Sequence, residues 1–391
     1  MQFSMRSRWL AALIIAVIVL VGLAYLAVPY ARAASLFVRA ANLGGRVEAF
    51  ADERARAISV DEPHLVPTRQ GEVRAQFYRP EGSVRRSVLL VPGVHSMGIA
   101  EPRLTALAKD LAGSGVTVMT LALPDLMDYQ ITARSADVLE DAVAWMAARR
   151  DLSPDGKIGM VGISFSGGLS IVSAGRDAIR DKVAFVVSFG GHGDLGRVLH
   201  YLATGEAVEA PGVATHPPHD YGVAVIMYAA ADRLVAPSQV EGLRDGIRTF
   251  LLASQLTLVN MDEANATFAK AREMVKGLPE PSATFLTWVN DRNVKAMGPL
   301  LVPYLGTQDD AAASPERAPT PPSAPVFLLH GDGDTVIPTA ESVVLGNYLR
   351  EKGANVRVLI SSIITHAELD RTAALGEGWK LVSFWADVLE R

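Results

Sequence analysis

An α/β architecture, with a mostly parallel sheet covered by helices on both faces, is predicted by three observations. Short aliphatic runs of buried-strand type alternate along the chain with segments whose apolar positions repeat at helical spacing. One of those runs leads through a turn of small residues straight into a helical pattern. The alternation pauses once, between about residues 190 and 322, where the pattern is largely helical, and then resumes. With 49% apolar and 20% charged residues over 391 positions, the chain can build a packed core and is not a disordered one.

The first element precedes the sheet. From Trp9 to Val28 no residue carries a charge; Arg6 and Arg8 come before the run and Pro29 stops it. A helix of that length is about 30 Å long, the thickness of a bilayer's hydrocarbon core. The run exceeds the apolar region of a secretory signal, so an uncleaved transmembrane anchor over 1–34 is expected. Ala31-Arg32-Ala33 keeps a removed signal, and with it secretion, as the alternative. Arg6 and Arg8 favour a cytoplasmic N-terminus and a body outside the cytoplasm, although Arg32, Arg39 and Arg46 lie on the other flank. Residues 35–58, rich in Ala and Arg, read as a helical connector.

The core follows in two parts, 59–190 and 323–391, around a helical insertion over 191–322. Strands are expected at 73–78, 87–91, 116–121, 158–161 and 183–187, and again at 326–329 and 356–360. Leu104, Leu107, Ala108 and Leu111 share one helix face, as do Val138, Ala142, Trp145 and Met146. Further helices are expected at 169–174, at 339–352 and around Trp379, Leu381, Val382 and Trp385. Within the insertion, Val240, Leu243, Ile247, Phe250 and Leu251 mark a helix, and a Pro/Ala/Ser-rich linker over 311–325 closes it. The insertion reads as a lid over the active face.

The chemistry is concentrated at strand ends. Gly162-Ile163-Ser164-Phe165-Ser166-Gly167-Gly168 has the setting of a nucleophile elbow, a tight strand-to-helix turn that lifts one side chain above the sheet. Ser164 is flanked two residues away by Gly162 and Ser166; Ser166, flanked by Ser164 and Gly168, is the alternative nucleophile. The apolar run ends at Val161, which puts Ser164 at the turn and Ser166 inside the helix. His330-Gly331-Asp332-Gly333-Asp334 follows one later strand and Thr365-His366 follows the last. Ser164, Asp334 and His366 thus close three strands at one edge of a parallel sheet, in the order Ser–Asp–His. Asp332 suits a turn-forming role better than that of the acid.

On these motifs the sequence resembles the α/β-hydrolase superfamily, serine-hydrolase branch, over most of 60–190 and 325–391. The resemblance implies ester, amide or related acyl chemistry on a small-molecule acyl substrate, without a metal or organic cofactor. It also implies that Pro92-Gly93-Val94, after an early strand, supplies an oxyanion-hole amide from Val94, paired with that of Phe165. The nearby His95-Ser96 pair is a decoy, because bulky Val94 stands two places before the serine.

Other classes are excluded or set aside. The chain has no cysteine, which removes disulfides, thiolate metal sites and thiol nucleophiles, and its net charge of −5 argues against nucleic acid. His192, His216 and His219 read as pocket residues or as structural loop groups. A metal there would need them to converge with a carboxylate, and no helix-spaced ligand pair supports it. His64 reads as exposed. Three rivals to an esterase remain open: a membrane-bound acyltransferase, a serine peptidase, and a membrane-tethered scaffold without turnover. Oligomeric state is not legible.

Overall fold

The computed structural model describes residues 5–84, 86–365, 368–369 and 374–391. Strands β1 (Ile58–Val60), β2 (His64–Thr68), β3 (Gly71–Pro80), β4 (Ser87–Val91), β5 (Thr117–Leu121), β6 (Ile158–Ile163), β7 (Val183–Phe189), β8 (Val326–Gly331) and β9 (Val356–Ser361) form one sheet. Its order is β1-β3-β5-β4-β6-β7-β8-β9, with β2 pairing β3. From β5 across to β9 all pairs are parallel, whereas β3 is antiparallel to β1, β2 and β5. With the side strand β2 set aside, the chain-order numbers across the sheet read 1-2-4-3-5-6-7-8, the α/β-hydrolase arrangement. After β4 the chain turns to β5 on one side and then crosses to β6 on the other. The carboxyl ends of β4 and β6 therefore flank a topological switch point, where a crevice opens.

β4, β5, β6 and β8 lie where aliphatic runs are buried on both faces, and β4 is found at its expected bounds. β1 and β2 were not expected, because Pro63 and Pro67 read as breaks. β2 pairs with β3 alone among the described residues, so the N–H that Pro67 lacks is not needed by the ladder.

Helices α1 (Met5–Ala40), α2 (Gly45–Asp52), α3 (Pro102–Gly113), α4 (Pro124–Met127), α5 (Ala133–Ala147) and α6 (Phe165–Ala174) precede the insertion. The insertion carries α7 (Leu195–Thr204), α8 (Tyr221–Leu234), α9 (Pro237–Leu256), α10 (Met261–Met274), α11 (Ser282–Asn290), α12 (Val294–Leu301) and α13 (Gln308–Ala312). After it come α14 (Ala340–Glu351) and α15 (Ala374–Leu389). The pleat divides the sheet's side chains between two cores. Val88, Leu90, Val118, Val161 and Phe327 join α1, α3 and α15 in one. Leu89, Val91, Met119, Met160 and Leu328 join α5, α6 and α14 in the other, which continues into the insertion. There Leu243, Ile247, Phe250 and Leu251 are buried on α9, and Val240 packs at their edge.

Two boundaries differ from expectation. Pro29 does not stop α1, which runs to Ala40 and takes in the first part of the expected connector. An internal proline forfeits one backbone hydrogen bond. What holds the helix beyond it is a buried stripe of Ala33, Leu36, Phe37 and Ala41 against α3 and α15. Arg39 adds hydrogen bonds to the Asp110 carboxylate at 2.9 Å and the Asp110 carbonyl at 2.8 Å. Among the described residues, this helix alone is long and apolar enough to cross a membrane. Segment 311–325, read as a linker, is packed on its surroundings. Ala313, Ser314 and Pro315 are buried, and Glu316 pairs at 2.7 Å with Arg197, which also holds Glu341 of α14 at 2.6 Å.

Candidate active site

β6 ends at Ile163, and Ser164 takes φ 57°, ψ −134° before α6 begins at Phe165. A serine at positive φ is strained, and the surroundings over-determine it. Ser164 N–H donates to Phe189 O of β7 at 2.7 Å, and its carbonyl accepts from Gly167 N–H at 2.8 Å. A Cβ on Gly162 would lie 2.3 Å from the Ser166 carbonyl oxygen, so no larger residue fits there without moving the turn. Ser166 is fully buried. Its hydroxyl accepts from Ile163 N–H at 2.8 Å and faces the carbonyls of Val91 at 3.0 Å and Ile163 at 2.8 Å. Ser166 thus pins the elbow to β4, while Ser164 stands on the wall of a cavity.

The loop after β4 comes close to this serine. A Cβ on Gly93 would meet Ser164 Cβ at 3.2 Å and Ile163 O at 3.4 Å. Val94 lines the cavity, and Phe165 opens the first turn of α6, where backbone N–H groups have no intrahelical partner. The decoy Ser96 donates to Gln255 Oε1 of α9 at 3.0 Å, as Tyr129 does at 3.2 Å.

Asp334 lies in the turn after β8 with its carboxylate buried. Oδ1 accepts from Val336 N–H at 2.8 Å and Ile337 N–H at 3.0 Å. Oδ2 is 3.4 Å from His330 Nε2 and would be 3.4 Å from a Cβ on Gly190, the residue after β7. Phe189 and Gly190 therefore separate Asp334 from Ser164. His330 is fixed in turn by Ile337 O at 2.9 Å from Nε2 and Ser342 Oγ at 2.7 Å from Nδ1. Asp332 is half-buried and closes the strand through its N–H to Ser361 O at 3.1 Å. His366 lies outside the described residues. Before it, β10 (Ile364–Thr365) pairs with β11 (Glu368–Leu369), and Ile364 reaches the cavity wall.

The cavity holds about 990 Å³ and has three sides. Gly93, Val94, Ser164 and Val336 form the sheet-edge side, and His219, Tyr221 and Gln255 the insertion side. The third is Leu36, Phe37 and Ala40 of α1, with Leu107 and Trp385. Of the three histidines read as pocket residues, His219 is on the wall, held by its N–H to Thr335 O at 2.8 Å. The other two are off the cavity, in the structural role that was their other reading. His192 is wholly buried beneath the elbow, packed on Phe165 at 5.7 Å between ring centroids and bonded through Nε2 to Ala313 O at 3.0 Å. Burial pushes its pKa down to about 4. His216 is half-buried and off the cavity, and its carbonyl accepts from Tyr201 OH at 3.0 Å.

The α1 side and the support from His330 were not foreseen. The first had a sequence signal in the spacing of Ala33, Leu36, Phe37 and Ala41. His330 had only its place at a strand end.

No family model matches the chain, and no curated protein matches it. Among solved structures it is similar to an esterase of Pyrobaculum calidifontis at 17% identity and TM-score 0.47, covering 92% of this chain and 90% of that one. It is also similar to an esterase of Pyrococcus furiosus at 12% identity and TM-score 0.45, covering 86% and 93%. A 2,6-dihydroxy-pseudo-oxynicotine hydrolase matches at 14% identity and TM-score 0.44, covering 88% and 71%. Likeness at these values transfers no activity to this chain. Its fold is read from its own sheet order.

Proposed function

We propose that this chain is a serine hydrolase that cleaves carboxylic esters through an acyl-enzyme on Ser164, tethered to a membrane by α1. The observation that carries the reading is Ser164 itself: strained at φ 57°, on the wall of a large cavity, at the carboxyl end of a central strand. Asp334, buried two strands further across and held by two backbone amides, supports it.

Ser164 Oγ attacks the ester carbonyl carbon while His366 takes the hydroxyl proton. Asp334 orients the imidazole and stabilises its cation. The Val94 and Phe165 amides receive the developing oxyanion, each such donor being worth about 3 kcal/mol. Collapse of the tetrahedral intermediate breaks the C–O bond, and the departing alkoxide leaves as the alcohol with the proton from His366. Water, deprotonated by the same imidazole, then frees the acid and restores Ser164.

The reading is tested by treating the full chain with a fluorophosphonate and mapping the adduct by tandem mass spectrometry. The adduct is expected on Ser164, and Ser164→Ala should lose turnover by several orders of magnitude. Ser166→Ala should still be labelled, with stability lowered by about 1–3 kcal/mol because buried backbone partners lose their hydroxyl. An adduct on Ser166 would move the nucleophile, and no adduct on the folded protein would favour the scaffold.

A further inference from the structure

One part of the cavity wall is built from the end of α1. Along α1, Ile18, Leu20, Val21, Tyr25 and Leu26 are exposed, whereas Ala33, Leu36, Phe37 and Ala41 are buried against the body. The change falls at Tyr30, whose ring stacks on Trp379 of α15 with centroids 5.4 Å apart and planes 10° apart. Trp379 is itself 67% exposed. Paired amphipathic rings beside a spanning segment mark the level of the lipid headgroups. From Tyr30 to Leu36 an α-helix rises only about 9 Å. Leu36, Phe37 and Ala40 then line the same cavity as Ser164, as do Leu107, Leu381 and Trp385, with Arg39, Asn42 and Asp110 also on its wall.

We infer that the substrate is a long-chain ester of a membrane amphiphile, taken from the bilayer with its acyl chain lying toward α1 and its carbonyl at Ser164. The inference rests on the hydrolase reading and adds the substrate class to it. What favours such a ligand over a water-borne one is access, not burial energy. Each methylene moved from water into an apolar site gains about 0.8 kcal/mol, but a chain already in lipid gains nothing from burial alone and needs an apolar path. A cavity side built from the membrane helix offers that path. At about 990 Å³ the chamber is at the upper end of small-ligand pockets, with room for a chain as well as the reacting ester.

The test uses the full chain reconstituted in phosphatidylcholine vesicles. Ser164→Ala protein is irradiated with a diazirine-bearing long-chain fatty acid in the bilayer, and the crosslinked peptides are mapped. Crosslinks are expected at residues 36–40 and at Leu107, Leu381 or Trp385. In parallel, Ala40→Trp should lower the ratio of hexadecanoyl-ester to butanoyl-ester turnover about tenfold. Crosslinks confined to residues before Tyr30, or an unchanged ratio in Ala40→Trp, would overturn the inference while a Ser164 adduct kept the hydrolase reading. If wild-type protein gives neither adduct nor turnover of any ester, the hydrolase reading falls and takes the substrate class with it.

Discussion

The cavity's sheet-edge side and its α1 side are held by different forces. On the sheet edge, position is fixed by short, buried hydrogen bonds: Ser166 Oγ between β4 and β6, Asp334 Oδ1 on two amides, and His330 behind it. On α1, Ala33, Leu36 and Phe37 are placed by apolar contact, with the Arg39–Asp110 pair at their flank. Hydrogen bonds are directional, so they place a reacting atom within tenths of an ångström. Dispersion and burial are not, so they shape a surface that admits a range of ligands. The difference teaches that reaction geometry and ligand accommodation are built from separate kinds of contact within one chamber.

The largest expected effect would break the hydrogen-bonded side at its acid. In Asp334→Asn the side-chain oxygen can keep the Val336 and Ile337 amides, so the melting temperature should change little. Its NH2 would stabilise the wrong imidazole tautomer, and kcat should fall by about ten-thousand-fold. Loss of less than tenfold, measured on a short soluble ester, would mean that Asp334 does not orient the imidazole.

Next comes the apolar side. Leu36→Ala should cost about 2–5 kcal/mol of stability, read from denaturant unfolding in detergent, because the side chain is fully enclosed. A cost near zero would mean that α1 is not docked in solution.

The smallest effect sharpens the contrast through pH. His192, beneath the elbow, has its pKa lowered from 6.5 to about 4 by burial. Between those values the unfolded chain binds a proton that the folded chain refuses. Its contribution is therefore complete above about pH 6.5 and lost as the pH falls toward 4, by about 3 kcal/mol. His192→Gln, which can still donate to Ala313 O, should flatten that part of the stability profile, while Leu36→Ala should leave its slope in place. Parallel profiles for wild type and His192→Gln would show that His192 is not the titrating group.

How much of this was legible in the sequence follows from how local each cause is. β4 and β6 are buried on both faces and bounded by turns, so their composition declares them. The positions of Ser164 and Asp334 at strand ends follow from those boundaries. Pro29 was read as a stop because the local penalty is plain, while the docking of Ala33 and Leu36 on α15 that outweighs it is remote in sequence. Pro67 misleads in the same way, since its tolerance depends on β2 pairing with β3 alone among the described residues. His192 looked like a site residue because it leaves a strand at the right edge. That its ring turns under α6, 2.4 Å from where a Cβ on Gly168 would stand, is a fact of packing alone.

The unbroken passage of α1 from its exposed apolar half to the cavity has a consequence for kinetics. A body on a long loose stalk samples a volume of solution, but one that packs directly on its own anchoring helix stays close to the support that holds the helix. With α1 in a bilayer, encounter with the substrate becomes a search in two dimensions. For the proposed membrane ester, the quantity that sets occupancy would then be its mole fraction in the surface, not its concentration per litre, and inert lipid would dilute it as solvent dilutes a water-borne ligand.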